Sequence, residues 1–188
     1  MTRNRVRIIG GAWRSRQISF PPRPDLRPTP DRVRETLFNW LGQDLTGKTC
    51  LDLFAGSGAL GFEAASRGAR RVVMVERDPV VFRALAVSRA TLAAAAVELK
   101  RADALEFLRD DDGGVFDVVF LDPPFKADYW LRLAPLLPPH LAPGALVYHE
   151  GAARPDLPPG WAVHRESRAG QVTYQLLKWA EGAELLTR

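Results

Sequence analysis

The chain has 188 residues, enough for one domain with a short appendage, and its 46% hydrophobic and 26% charged content is that of an ordinary globular protein. A single cysteine, Cys50, excludes an internal disulfide and cannot by itself make a zinc site; the histidines His140, His149 and His164 are scattered without ligand spacing, so no metal is expected. No apolar run is long enough to span a bilayer, and Met1 to Gly10 carries arginines rather than a signal-peptide core, which predicts a soluble, cytoplasmic protein with no membrane partner.

The basic charge is concentrated at the start of the chain. Residues 1–34 hold nine arginines against Asp25 and Asp31, +7 in a chain whose total is +4, so the rest carries −3. A basic arm on a mildly acidic body suggests contact with a polyanion; the alternative is a solvated extension that binds nothing. Val6–Gly10 and Gln17–Phe20 flank Gly10-Gly11 and predict a small hairpin. Pro21, Pro22, Pro24 and Pro28 make an extended linker, so residues 1–28 are expected to form an arm and 29–188 the main domain. Thr29-Pro30-Asp31 reads as a helix start, with Thr29 as cap, and Val33, Leu37, Trp40 and Leu41 share one face of a helix over 29–42.

Strand and helix patterns then alternate. Thr49–Phe54, Arg71–Glu76, Val97–Arg101, Phe116–Leu121 and Ala145–His149 read as strands. Between them lie helices around Gly61–Ser66, from Pro79 to about Ala95 (taking in much of the alanine run Ala93–Ala96), around Leu105–Leu108 and over Tyr129–Leu137. Trp161–Arg168 and Gln171–Trp179 read as a closing antiparallel pair around Ala169-Gly170. The expected fold is α/β: a Rossmann-like, mostly parallel, doubly wound sheet with a C-terminal antiparallel pair, which places ligands at the carboxyl ends of its strands.

Between the first strand and helix of that alternation, Gly56, Gly58 and Gly61 match the dinucleotide pattern G-x-G-x-x-G, and Glu76 ends the next strand about twenty residues on, suited to ribose hydroxyls. A nicotinamide or flavin enzyme is therefore a competing reading. Asp52 argues against it: a carboxylate four residues before the first glycine is unfavourable beside a pyrophosphate but favourable beside the ammonium and sulfonium of S-adenosylmethionine. Asp103, after the third strand of the alternation, can accept from an adenine amino group; the alternative roles are a helix cap for Asp103 and a satisfied strand-end carboxylate for Asp52. After the fourth strand comes Asp122-Pro123-Pro124-Phe125. The prolines stiffen the turn and remove backbone donors, so a carboxylate and a fixed carbonyl can accept both hydrogens of an exocyclic base NH₂ and aim its lone pair at a methyl carbon, while Phe125 offers a stacking face. The base must then be single-stranded or flipped. Glu150, after the fifth strand, reads as a solvated strand-end acid, with lining the site as its alternative; Trp40, Trp130, Trp161 and Trp179 read as packing residues, and Trp13 as either an RNA-stacking side chain or a cover for the hairpin.

With these residues in place, the sequence resembles the bacterial small-subunit rRNA guanine-N2 methyltransferases, the RsmD family, over nearly its whole length. The likeness runs through Arg7-Ile8-Ile9-Gly10-Gly11, Trp13-Arg14, Leu26 to Trp40, Asp52 to Gly61, Asp122 to Phe125 and Ala169-Gly170-Gln171-Val172. Asp-Pro-Pro-Phe is shared among amino-methylating enzymes, whereas the arginine-rich Arg27 to Trp40 stretch is family-specific; Ser15 stands where glycine is more usual. The resemblance implies methylation of a guanine N2 in 16S rRNA within an assembling or assembled small ribosomal subunit, with S-adenosylmethionine as donor; nothing in the sequence demands more than a monomer. It implies that Gly56, Ser57 and Gly58 wrap the methionine end with Asp52 nearby. Glu76 would hold the ribose, Asp103 and Ala104 the adenine, and Asp122, Pro123 and Phe125 the guanine. Arg5, Arg7, Arg14, Arg16, Arg27, Arg32 and Arg34 would face rRNA phosphates. Adenine-N6 methylation of DNA or RNA, and an RNA-binding assembly factor whose methylation is dispensable, stay open as alternatives.

Overall fold

The computed structural model of the chain describes residues 4–24, 26, 28–110, 114–124 and 129–180. Strands β1 (Asn4–Arg7) and β2 (Gln17–Phe20) form an antiparallel hairpin, followed by α1 (Asp31–Leu41). The alternation then runs β3 (Thr49–Asp52), α2 (Ala59–Ser66), β4 (Arg71–Val75), α3 (Pro79–Thr91), β5 (Val97–Lys100), α4 (Ala104–Arg109), β6 (Phe116–Leu121), α5 (Trp130–Leu133), β7 (Leu141–Gly151), β8 (Trp161–Ala169) and β9 (Val172–Trp179). The main sheet has the order β5-β4-β3-β6-β7-β9-β8. Its strands are parallel from β5 to β7, and β9 and β8 are added antiparallel at one side.

Successive residues of each central strand serve opposite faces, as the two-residue repeat of a strand requires. Cys50, Val72, Met74, Phe120, Tyr148 and Leu176 enter a cluster with the hairpin, α1 and α2. Their neighbours Leu51, Val73, Val75, Leu121, Val147 and Leu177 enter a second cluster with α4 and α5. Trp130, Trp161 and Trp179 stack edge-on or tilted in that second layer, with centroids 5.0 and 5.4 Å apart, and Trp40 packs on Tyr174 at 5.4 Å. Trp13 is half-buried against the first cluster, where it covers the hairpin side of the core.

The hairpin is fastened to the domain by one carboxylate. Glu63, wholly buried in the middle of α2, accepts from the backbone N–H of Ile9 and Gly10 at 2.9 and 2.7 Å, from Arg34 at 3.2 Å and from Arg67 at 2.9 Å. A buried anion is tolerable only with partners of this number and charge. Beside it, Ser66 Oγ accepts from the Trp13 N–H at 2.9 Å and donates to the Gly10 carbonyl at 2.6 Å. The chain lies so close to α2 that a Cβ on Gly11, where φ is +74°, would sit 1.9 Å from the Ser66 carbonyl oxygen. Ser15, at the turn of the hairpin, has φ of 69°, a left-handed conformation that explains why glycine suits this place better than serine.

Several expectations are corrected by the structure. The helix after β4 stops at Thr91, and Ala93 turns with φ of 51° instead of continuing through the alanine run. Alanine's helix preference is worth under about 1 kcal/mol per residue, less than what is gained by burying Leu92 and Ala94 and pairing β5 with β4. The Tyr129–Leu137 helix shortens to α5 and passes through turns into a 3-10 turn at Pro138–His140, whereas β7 is longer than its apolar centre suggested. Thr29 does not cap α1: Pro30 occupies that position with no side-chain cap, and the Thr29 hydroxyl is used elsewhere.

Removing the Glu63 carboxylate strands the Arg34 and Arg67 guanidinium groups and two backbone donors, so Glu63→Ala is expected to cost about 3–5 kcal/mol, read as a lower urea midpoint. Ser15→Gly relieves the left-handed strain and is expected to raise stability by up to about 1 kcal/mol in the same assay.

Candidate active site

A cleft of about 750 Å³ opens at the carboxyl ends of β3, β4, β5 and β6. The parallel register explains its chemistry: Asp52 ends β3, Glu76 follows β4, Asp103 follows β5 and Asp122 follows β6, so four acids stand in a row along one sheet edge. The turn from β3 into α2 forms its floor. Gly58 precedes α2 with φ of 83°, and a Cβ there would lie 2.6 Å from Phe62. A Cβ on Gly61 would meet Met74 Sδ at 2.7 Å, so the third glycine of the motif serves helix-to-strand packing. Ser57 Oγ accepts from the Ala59 N–H at 3.3 Å.

Each acid has a distinct surrounding. Asp52 Oδ2 accepts from the Gly61 N–H at 3.1 Å, but the buried Oδ1 has no hydrogen-bond partner among the described residues. Burial pushes the Asp52 carboxyl up to about 7 against the backbone donors of Gly61 and Phe54, and the Glu76 charge adds to the rise. Glu76 accepts from the N–H of Gly56 at 3.0 Å and of Asp78 at 2.7 Å, which fixes its carboxylate at the glycine turn. Asp103 does cap α4, through Oδ1 and the Leu105 N–H at 2.9 Å; its Oδ2 lies 3.9 Å from Arg77, and the side chain still lines the cleft next to buried Ala104. Both roles considered for Asp103 are thus compatible.

Asp122 is half-buried at the far end of the cleft, with Pro123 buried beside it. Its Oδ2 accepts from the Thr29 hydroxyl at 3.2 Å. Desolvation, with Glu150 close by, holds the Asp122 carboxyl well above the usual carboxylate range. Phe125 lies outside the described residues.

Three contributions were not legible in the sequence. The proline linker folds over the cleft: Arg23, Pro24, Leu26 and Thr29 line it, and Arg23 pairs with Asp78 at 3.2 Å. Tyr129 lines the cleft and meets Phe54 edge-on at 5.1 Å. Glu150 is buried rather than solvated, 5% exposed, and accepts from the Tyr148 hydroxyl at 2.6 Å.

The arginines divide. Arg5, Arg7, Arg14, Arg16 and Arg32 are exposed, although Arg5 bonds Gln17 at 3.2 Å and Arg7 pairs with Asp31 at 2.8 Å. Arg34 must be taken off the list of phosphate contacts, because its side chain has no exposed surface and its guanidinium is consumed by Thr29 O, Asp31 and Glu63. Arg27 lies outside the described residues.

A mostly parallel, doubly wound sheet with a glycine turn and strand-end acids defines a class I S-adenosylmethionine-dependent methyltransferase. The residues present fit that cofactor: the unpartnered Asp52 oxygen can accept from its ammonium, and Glu76 and Asp103 keep acceptor capacity for hydroxyl and amino groups. The family described as conserved hypothetical protein 95 matches residues 6–178. The ribosomal RNA small subunit methyltransferase D of Escherichia coli K12 is 45% identical over 176 residues, 91% of this chain and 88% of the relative. The solved structure of Escherichia coli yhhF superposes with a TM-score of 0.84 at 44% identity, covering 94% of this chain and 99% of the other. An RNA methyltransferase from Salinibacter ruber, solved in complex with S-adenosyl-L-homocysteine, gives a TM-score of 0.65 at 25% identity over 85% of this chain and 97% of its own. The chain belongs to the family of ribosomal RNA small subunit methyltransferase D.

The raised Asp52 pKa gives a signed expectation. Between the unfolded value of about 4 and the folded value of about 7, the ligand-free fold binds a proton that the unfolded chain has lost, so its stability falls as pH rises through that window. The cofactor ammonium favours ionised Asp52, so its binding below pH ~7 releases a proton, and affinity should tighten with rising pH by at most about tenfold per unit. Calorimetry with S-adenosylmethionine in buffers of different ionisation heat reads this release, and Asp52→Asn should abolish it.

Proposed function

We propose that the protein transfers a methyl group from S-adenosylmethionine to the exocyclic N2 of a guanine in 16S rRNA within the small ribosomal subunit. The observation that carries this reading is Asp122, an acceptor at the end of β6 in the same cleft as Asp52 and stiffened by Pro123. The printed name of the Escherichia coli relative supplies the substrate class. The cofactor supplies an electrophilic methyl carbon. Asp52, Gly56, Ser57, Gly58, Glu76, Asp103 and Ala104 bind and orient the cofactor. Asp122 accepts from the base amino group, with Pro123 displaying its carbonyl and Phe125 stacking the base.

An exocyclic amine conjugated with its ring is a poor nucleophile, so two acceptors that pull its hydrogens out of plane favour the geometry from which its lone pair attacks in line. The gain is in positioning and in matching charge that develops at the nitrogen. Thr29 holds Asp122 through one oxygen and leaves the other for the amine. Arg5, Arg7, Arg14, Arg16, Arg27 and Arg32 carry the rRNA phosphates, and a single chain suffices for the reaction.

The test incubates the protein with labelled S-adenosylmethionine and small subunits from cells lacking the corresponding enzyme, then digests the rRNA to nucleosides. Label is expected in N2-methylguanosine, with Asp122→Ala lowering kcat/KM by about 10²–10³-fold. Label in methyladenosine would move the reaction to the adenine amino group. If Asp122→Ala lost activity yet still restored subunit assembly in cells, binding rather than methylation would be the cellular role.

A further inference from the structure

Beside Asp122 lies a second buried carboxylate, Glu150, which the methyl transfer itself does not need. In the parallel register of β6 and β7, Leu121 stands opposite His149, so the next residues, Asp122 and Glu150, lie side by side at the same end of adjacent strands. Glu150 lines a smaller cleft of about 240 Å³ that shares Pro123, Pro124 and Tyr129 with the cofactor cleft. One Glu150 oxygen, Oε2, is held by the Tyr148 hydroxyl at 2.6 Å, and Oε1 accepts no hydrogen bond among the described residues. Among those residues no lysine or arginine pairs with either Asp122 or Glu150.

Two neighbouring carboxylates with acceptor capacity to spare and, among the described residues, no paired cation are an incomplete site, costly until donors arrive. Burial lifts the carboxyls of Asp122 and Glu150 above their ordinary range, as expected for groups still short of partners. Tyr148 keeps its proton, since burial and the Glu150 charge push its phenol far up, and its donation favours Glu150 as the ionised acceptor.

Guanine's Watson–Crick edge matches this arrangement: N1–H and the N2 amino group are adjacent donors. Adenine offers an amino donor beside an N1 lone pair, which an ionised carboxylate repels. We infer that Glu150 accepts the guanine N1–H while Asp122 accepts from N2, making Glu150 the specificity-determining residue that admits guanine and rejects bases bearing a lone pair at N1. This rests on the guanine reading and deepens it.

The test needs a base with the reacting amine but no N1 proton, and 2,6-diaminopurine is that base. Small subunits are reconstituted on 16S rRNA carrying guanine or 2,6-diaminopurine at the methylated nucleotide. The wild-type protein is expected to favour guanine by about 10–100-fold in kcat/KM, the effect of one recognition hydrogen bond replaced by repulsion. Glu150→Gln keeps the volume, and its amide can donate to an unprotonated N1. It is expected to lose most activity on guanine and bring the two bases within about threefold of each other. A thermal shift with S-adenosylhomocysteine verifies that the variant is folded.

Equal wild-type rates on the two bases would overturn the inference without any variant, and so would a Glu150→Gln protein that slows both equally with the preference intact. If the variant does not fold, the wild-type ratio alone decides. Failure of the underlying guanine reading looks different, since label from unmodified subunits would then appear in methyladenosine.

Discussion

The Glu63 carboxylate sits where no solvent reaches it, and its four donors come from three separate parts of the chain: the hairpin backbone at Ile9 and Gly10, Arg34 on α1, and Arg67 beyond α2. None of these groups can be buried alone at tolerable cost. The hairpin, α1 and the first crossover helix of the sheet therefore dock as one unit. The consequence extends to the cleft. Arg34 also donates to the Thr29 carbonyl at 3.1 Å, and the Thr29 hydroxyl reaches Asp122 at 3.2 Å. A continuous polar chain thus runs from the buried anion to the carboxylate proposed to hold the target base.

This linkage explains why the basic segment is not a loose tether. Its apolar residues Val6, Ile8, Ile18 and Phe20 enter the core, while Arg5, Arg14 and Arg16 point outward. The linker that follows covers the cofactor cleft with Leu26 and Thr29. Positive charge is thus held at a fixed orientation on the domain, and of the basic segment Arg23 reaches the acidic cleft. The interior of that cleft is lined instead by the strand-end acids Asp52, Glu76, Asp103 and Asp122, which suit cationic and amino donors.

Much of this was legible in the sequence because it is local. A strand followed by a glycine turn and a helix announces itself within a dozen residues, and the acids Asp52, Glu76, Asp103 and Asp122 could be placed by counting strand ends. Roles that depend on residues distant in sequence could not be read that way. Thr29 looked like a helix cap because Pro30 and Asp31 follow it, whereas its partner is 93 residues away. Arg34 was indistinguishable from its arginine neighbours until α2 brought Glu63 to it across 29 residues. The burial of Glu150 could not be read either, because alternation along β7 tells only which face a side chain takes, not that Tyr148 and Asp122 lie close to it. The alanine run failed for the opposite reason: its local preference was plain but weaker than the sheet pairing that overrode it.

The spacing of the hairpin's fastenings also sets an order of events during synthesis. Ile9 and Gly10 leave the ribosome more than fifty residues ahead of Glu63, and Trp13 equally far ahead of Ser66. The emergence of α2 supplies the Glu63 acceptor within the same polypeptide, so it captures the hairpin backbone at high effective concentration. Glu63 therefore times the docking of the hairpin: until α2 is made, the backbone N–H groups of Ile9 and Gly10 lack the acceptor that holds them in the fold.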